Sequence, residues 1–130
     1  MSDYQLRHFN PSSNLPHRAH QAWMILVGMA MNRQTTTYKA LSVLMYGKEA
    51  SGVLGNILGH IAYFCEDHDL PQLNVIVVSK GKGVPGDLIP LEPNEVDAVR
   101  EAVYATNWYD IVPPSPQALA EAYGRRQFRA

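Results

Sequence analysis

The chain carries one cysteine, Cys65, so no disulfide can close within it, and a lone thiol fits a reducing compartment. It has no excess of basic charge. Eleven Lys and Arg stand against twelve Asp and Glu, for a formal net charge of −1 and a pI near 6.5. That excludes a nucleic-acid binder held by global attraction, and any grip on phosphate must come from a local patch. No apolar run is long enough for a membrane span. The stretch from Trp23 to Met31 is too short and follows a helical period. The N-terminus lacks a basic region followed by an apolar core, so we expect no secretory leader, no membrane contact and a cytoplasmic location. Internal repeats and low-complexity segments are also missing. What is plentiful is apolar content: 46% hydrophobic over 130 residues is enough for the core of one domain.

Taken in order, residues 1–16 mix polar side chains with Asn10-Pro11-Ser12-Ser13-Asn14 and read as an arm. Asn14 is placed to cap a helix with Pro16 in its first turn. From His17 to Arg33 the residues Ala19, Ala22, Trp23, Leu26 and Ala30 recur at helical spacing and predict a first helix with one buried face, widened by Met24, Met29 and Met31. Thr35-Thr36-Thr37 offers caps for a short second helix through Ala40, Leu41, Leu44 and Met45, stopped by Gly47. A third helix is expected from Glu49 to Asp67, with Val53, Leu54, Ile57, Leu58, Ile61 and Cys65 inward. Its glycines at 52, 55 and 59 cost roughly 1 kcal/mol each against alanine. Their spacing marks a face that something approaches closely: another helix or a DNA backbone.

After Pro71, the β-branched run Val75-Ile76-Val77-Val78 predicts a strand, Lys80-Gly81-Lys82-Gly83 a ribbon turn, and Leu88-Ile89 a return strand. Pro93 suits a first helical turn, and Val96, Val99 and Val103 give a fourth helix its apolar side. The tail, residues 111–130, opens on Val112-Pro113-Pro114-Ser115-Pro116. It continues as a short helix through Ala118, Leu119 and Ala122 to a stop at Gly124, and ends on Arg125, Arg126 and Arg129. Residues 17–110 thus form the expected main domain. Its class is α+β, mainly helical: a winged helix-turn-helix with a two-stranded β-ribbon wing and C-terminal helices.

At Thr37-Tyr38, Leu54-Gly55 and Leu70-Pro71 the sequence resembles the C-terminal winged-helix domain of the O6-alkylguanine-DNA alkyltransferase and alkyltransferase-like families, over about Trp23 to Gly86. The resemblance implies a DNA-binding scaffold with Tyr38 as a phosphate contact. It does not carry the chemistry. Gln72 stands where those families place a reactive cysteine or a tryptophan, Leu73-Asn74 replaces their His-Arg, and Gly52 stands near their base-displacing arginine. Without a thiolate there is no nucleophile for alkyl transfer, and without the arginine a flipped base leaves its gap unfilled. We therefore expect a non-enzymatic DNA-binding protein, acting as a transcriptional regulator or as an accessory in repair or in phage–host defence.

On that reading the start of the second helix, Thr36, Thr37 and Tyr38, meets phosphate through free first-turn amides. Lys48, Ser51, Asn56 and His60, with Tyr63 beyond, face a groove, where Asn56 suits adenine. Lys80 and Lys82 on the wing meet the flanking backbone. Each has a plainer reading as well: a solvated polar stripe on the third helix, a half-buried aromatic at Tyr38, and hydrated lysines on a turn. The rival class is a protein-interaction module, with the glycine face or the 112–116 segment docking a partner or a second copy. Two pairs, His17 with His20 and Cys65 with His68, have metal-like spacing, but chance and core packing explain them, and we expect no metal or cofactor. Gly81 to Gly86 does not match a phosphate-binding P-loop. Asp87, Glu92, Glu95 and Asp97 flank a proline and a helix start, so they read as solvated acids rather than a nuclease centre.

Overall fold

The computed structural model describes residues 4–10, 13–79 and 95–127. Their order is α1 (Leu15–Met31), β1 (Thr36–Thr37), α2 (Tyr38–Tyr46), α3 (Leu54–Asp67), β2 (Val77–Val78), α4 (Val96–Ala105) and α5 (Pro116–Gln127). The described residues are mostly helical with one small two-stranded sheet, an α+β arrangement in the coarse sense.

The first helix forms where the caps and the period place it. Asn14 accepts from the His17 amide at 3.1 Å, and a proline sits in the first turn. The predicted stripe Ala19, Ala22, Trp23, Leu26 and Ala30 is wholly excluded from water and becomes the axis of the core. Trp23 meets Phe64 of α3 edge-on at 5.7 Å and Trp108 at 5.6 Å, so one side chain ties α1 to both the third helix and the C-terminal half. Trp108 donates its indole N–H to the Val103 carbonyl at 2.7 Å, which satisfies its polar end inside the core.

Arg18 also lies on α1 and is buried. Its guanidinium donates to the carbonyls of Met45 at 2.9 Å and Asn10 at 2.7 Å, and to the Gln21 side chain at 2.8 Å. It also covers the Tyr46 ring at 4.1 Å. One buried cation thus fastens the end of α2 and the N-terminal arm to α1.

Thr37 caps α2 by accepting from the Ala40 amide at 3.0 Å, and Gly47 ends it at φ 75°, a left-handed turn that favours glycine. The next helix starts later than Glu49. Residues Ser51–Val53 form a tight 3-10 turn, and regular α geometry begins at Leu54. Gly52, expected inside the helix, lies in that turn.

Two further expectations are corrected. The run 75–78 is not a strand throughout: Leu73–Ile76 winds as a 3-10 turn and only Val77–Val78 is extended. Its partner explains the shortness. β2 pairs in parallel with β1, Thr36 opposite Val77 and Thr37 opposite Val78, and the chain turns into α2 one residue later. Leu73, Val75, Ile76 and Val77 are fully buried, so the β-branched run fills the core from a coiled backbone. The ribbon turn, the return strand 88–89 and Pro93 lie outside the described residues. Gly124 does not stop the last helix, which runs on to Gln127 because glycine here keeps helical geometry. Ser115 caps that helix, accepting from the Ala118 amide at 3.0 Å.

Candidate nucleic-acid interface

The expected recognition helix has two unlike halves. Its first turns leave Gly52, Val53 and Asn56 exposed, preceded by exposed Lys48 and half-buried Ser51. Ser51 gives both its amide, at 3.2 Å, and its hydroxyl to the Glu49 carboxylate, and these bonds hold that carboxyl below its usual range. Glu49 therefore puts a negative charge beside Lys48 at neutral pH.

The second half is covered by α5. His60, expected to face outward, is only 3% exposed. Its ring lies flat on Tyr123 with centroids 4.1 Å apart and planes 5° apart. The Asn56 carbonyl can only accept, so the His60 Nδ1 at 2.7 Å carries the hydrogen. Burial lowers the tendency of this imidazole to take up a proton, and the hydrogen bond to Asn56 opposes that in part. The same tyrosine donates its hydroxyl to Asn56 Oδ1 at 3.1 Å. A phenol hydroxyl both donates and accepts, so the contact ties the Asn56 side chain to α5 in either orientation of its amide. Arg125 completes the clamp on Asp67 at 3.0 Å.

The glycine face is now explained at one position. A Cβ on Gly59 would come within 3.2 Å of the Tyr123 ring, so the close approach there is α5, not DNA or α1. Sequence reasoning missed Tyr123. The available signal was its place four residues beyond Leu119, on the stripe that buries Leu119 and Ala122.

Around α2, Thr36 is buried in β1, Thr37 is half-buried and spends its hydroxyl on the cap, and Tyr38 is half-buried against the core. Lys39 is exposed beside them. Thr37, Tyr38, Lys48, Ser51 and Asn56 thus all keep some surface at the α2 start and the α3 start, while Thr36 and His60 do not. Lys80 and Lys82 lie outside the described residues. Several arginines are engaged: Arg18 as above, Arg33 on Glu101 at 2.7 Å, and Arg125 on Asp67.

The other candidate chemistry fares as follows. Gln72 and Asn74 are both buried. Gln72 Oε1 and both amide atoms of Asn74 have no hydrogen-bond partner among the described residues. Cys65 is fully buried, and burial pushes its thiol up to about 12, far from a reactive thiolate. His17 and His20 each hold a hydrogen-bond partner, Asn14 and the Pro114 carbonyl. Among the described residues no group of three His, Cys, Asp or Glu is placed to hold a metal. No helix there is long and apolar enough to cross a membrane.

Compared with known proteins, the chain matches no family model, no curated protein and no solved structure. The geometry above is therefore the ground for any functional reading.

Proposed function

We propose that this chain binds duplex DNA through a winged-helix scaffold, without catalysis. The start of α3 would enter a groove, and the start of α2 would sit on the phosphate backbone. One observation carries the reading: the unit from α2 to α3 keeps its leading end bare at Lys48, Gly52, Val53 and Asn56, and buries its trailing end under α5. Helix-turn-helix proteins read bases with the first residues of the second helix, so a covered trailing half is compatible with recognition. Asn56, held by Tyr123 at one end of its amide, keeps the other end for a base edge. The resemblance at Thr37-Tyr38, Leu54-Gly55 and Leu70-Pro71 supports the same scaffold, with Lys80 and Lys82 in the wing. His60 drops out of the contact set and Thr36 becomes a strand residue.

Charge sets the test. If all four lysines, Lys39, Lys48, Lys80 and Lys82, neutralise phosphates, log K should fall against log salt with a slope of about −3.6, or about 150-fold for a fourfold rise in salt. Anisotropy of a labelled duplex across that range measures it. A flat response, or no binding at low salt, sinks the proposal.

A second reading has its own observation. Val43 and Leu44 on α2 are 42% and 58% exposed and rim an apolar groove of about 510 Å³ with Met29 and Ala40. A protein-docking module would use that face and would respond little to salt.

A further inference from the structure

The bare end of α3 carries an apolar side chain for which phosphate contact has no use. Val53, expected inward, is 45% exposed, while its neighbours Leu54 and Ile57 are wholly buried and fix the backbone beneath it. Val53 has φ −93° and ψ −7°, within the helical region, so the 3-10 turn Ser51–Val53 runs directly into α3. Val53 and Asn56, both exposed, therefore stand three residues apart on one helical face. A Cβ on Gly52 would meet nothing within 4 Å among the described residues, so the flank of Val53 is open. Beyond Asn56 the face closes, since Gly59 and His60 lie against the Tyr123 ring. The surface left bare, from Gly52 to Asn56, rises roughly 6 Å along the helix against about 3.4 Å per base step, enough for about two base pairs.

The two side chains differ in what they can recognise. An amide oxygen has two lone pairs and an amide nitrogen two hydrogens. The 3.1 Å contact with the Tyr123 hydroxyl takes one of these, so a donor and an acceptor remain in either orientation. That pair, at amide spacing, matches N7 and the N6 amino group of adenine. Val53 offers only methyl groups, and the one methyl group that the four bases present in the major groove is on C5 of thymine. Side chains three apart on a helix are about 5–6 Å from each other at Cβ, which lets them reach neighbouring base pairs.

We propose that this tip reads two adjacent A·T pairs in the major groove. Asn56 bonds to adenine at N7 and N6, and Val53 packs on the thymine methyl of the next pair. Tyr123 is a positioning residue that holds the Asn56 amide. The proposal rests on the duplex reading above and adds its sequence preference.

Selection of duplexes from a random pool by the full chain at low salt tests it, followed by anisotropy on the enriched sequence. That sequence should hold adjacent A·T pairs. Uracil in place of the thymine removes only the methyl group and should weaken binding about fourfold. 7-Deazaadenine in place of the adenine removes one acceptor and should weaken it about fivefold or more. Val53→Ala should become indifferent to uracil and still sense 7-deazaadenine, and Asn56→Ala should do the reverse. Tyr123→Phe should shrink the 7-deazaadenine effect and leave the uracil effect, a split that lost stability alone does not give. Binding with no enriched sequence, an enriched site without adjacent A·T pairs, or analogue effects that Val53→Ala and Asn56→Ala leave unchanged overturns the proposal while duplex binding stands. No binding to any duplex at low salt overturns both.

Discussion

Replacing Tyr123 tests how the last helix is held on α3. The ring stacks on His60 with centroids 4.1 Å apart, lies over Gly59, and donates to Asn56 at 3.1 Å. The hydrogen bond is exposed, so Tyr123→Phe should cost about 0.5–1 kcal/mol. Tyr123→Ala also loses the stack, about 0.5–1.5 kcal/mol, and about 1 kcal/mol of partial burial, for a total of about 2–3.5 kcal/mol. With a urea m-value of about 1.5 kcal/mol/M, the midpoint should fall by about 1.3–2.3 M for alanine and about 0.5 M for phenylalanine. Gly59→Ala supplies the cross-check. In the parent its Cβ meets the ring at 3.2 Å and the gain in helix propensity is offset, whereas beside Tyr123→Ala it should stabilise by about 1 kcal/mol. Equal midpoints for the phenylalanine and alanine variants, or a Gly59→Ala effect indifferent to residue 123, would refute the packing argument.

Three further outcomes follow from buried groups. Burial holds His60 below its ordinary 6.5, so the unfolded chain binds a proton that the folded one resists; stability is full above about pH 7 and is lost as pH falls from about 6.5 through the lowered folded value. Denaturation at pH 7.5 and 5.5 should show this drop in the parent and a smaller one in His60→Phe, and equal drops would sink it. Cys65, with its thiol raised to about 12, should resist a thiol reagent at pH 8 until the chain unfolds, so rapid labelling of native protein would contradict its placement. Arg18→Met, which removes the bonds to Met45, Asn10 and Gln21, should destabilise by about 2–3 kcal/mol. Gln21 still reaches the Met45 carbonyl at 3.4 Å, which limits the loss, and a change under about 0.5 kcal/mol would show that the arm is not fastened there.

Local chemistry was legible in the sequence; pairing was not. Asn14 with Pro16, Thr37, Gly47 and Ser115 act through their own neighbours, so their caps and stop could be read directly. The helical stripe of α1 was equally plain, since burial follows its period. The run 75–78 misled because β-branched residues signal burial as much as extension, and only the two-residue partner Thr36–Thr37 decides how much of it can pair. Gly124 misled because a helix packed through Leu119 and Ala122 can absorb the cost of one glycine. In the candidate interface, Asn56 sits on the helix that the spacing predicted, whereas Lys48 and Ser51 precede it in a bend and a 3-10 turn. The burial of His60 could not be read, because it depends on Tyr123, 63 residues further along the chain. The burial of Arg18 was hidden for the same reason, because its partners Met45 and Asn10 lie on other segments of the chain.

Backbone amide shifts of the labelled chain, followed as a duplex is added at low salt, test the central claim most directly. The account predicts changes concentrated at Thr37–Lys39 and at Lys48–Asn56, with the trailing half of α3 unaffected, and reversal when salt is raised fourfold. Shifts confined to the Val43 and Leu44 face of α2, or none at all, would contradict it.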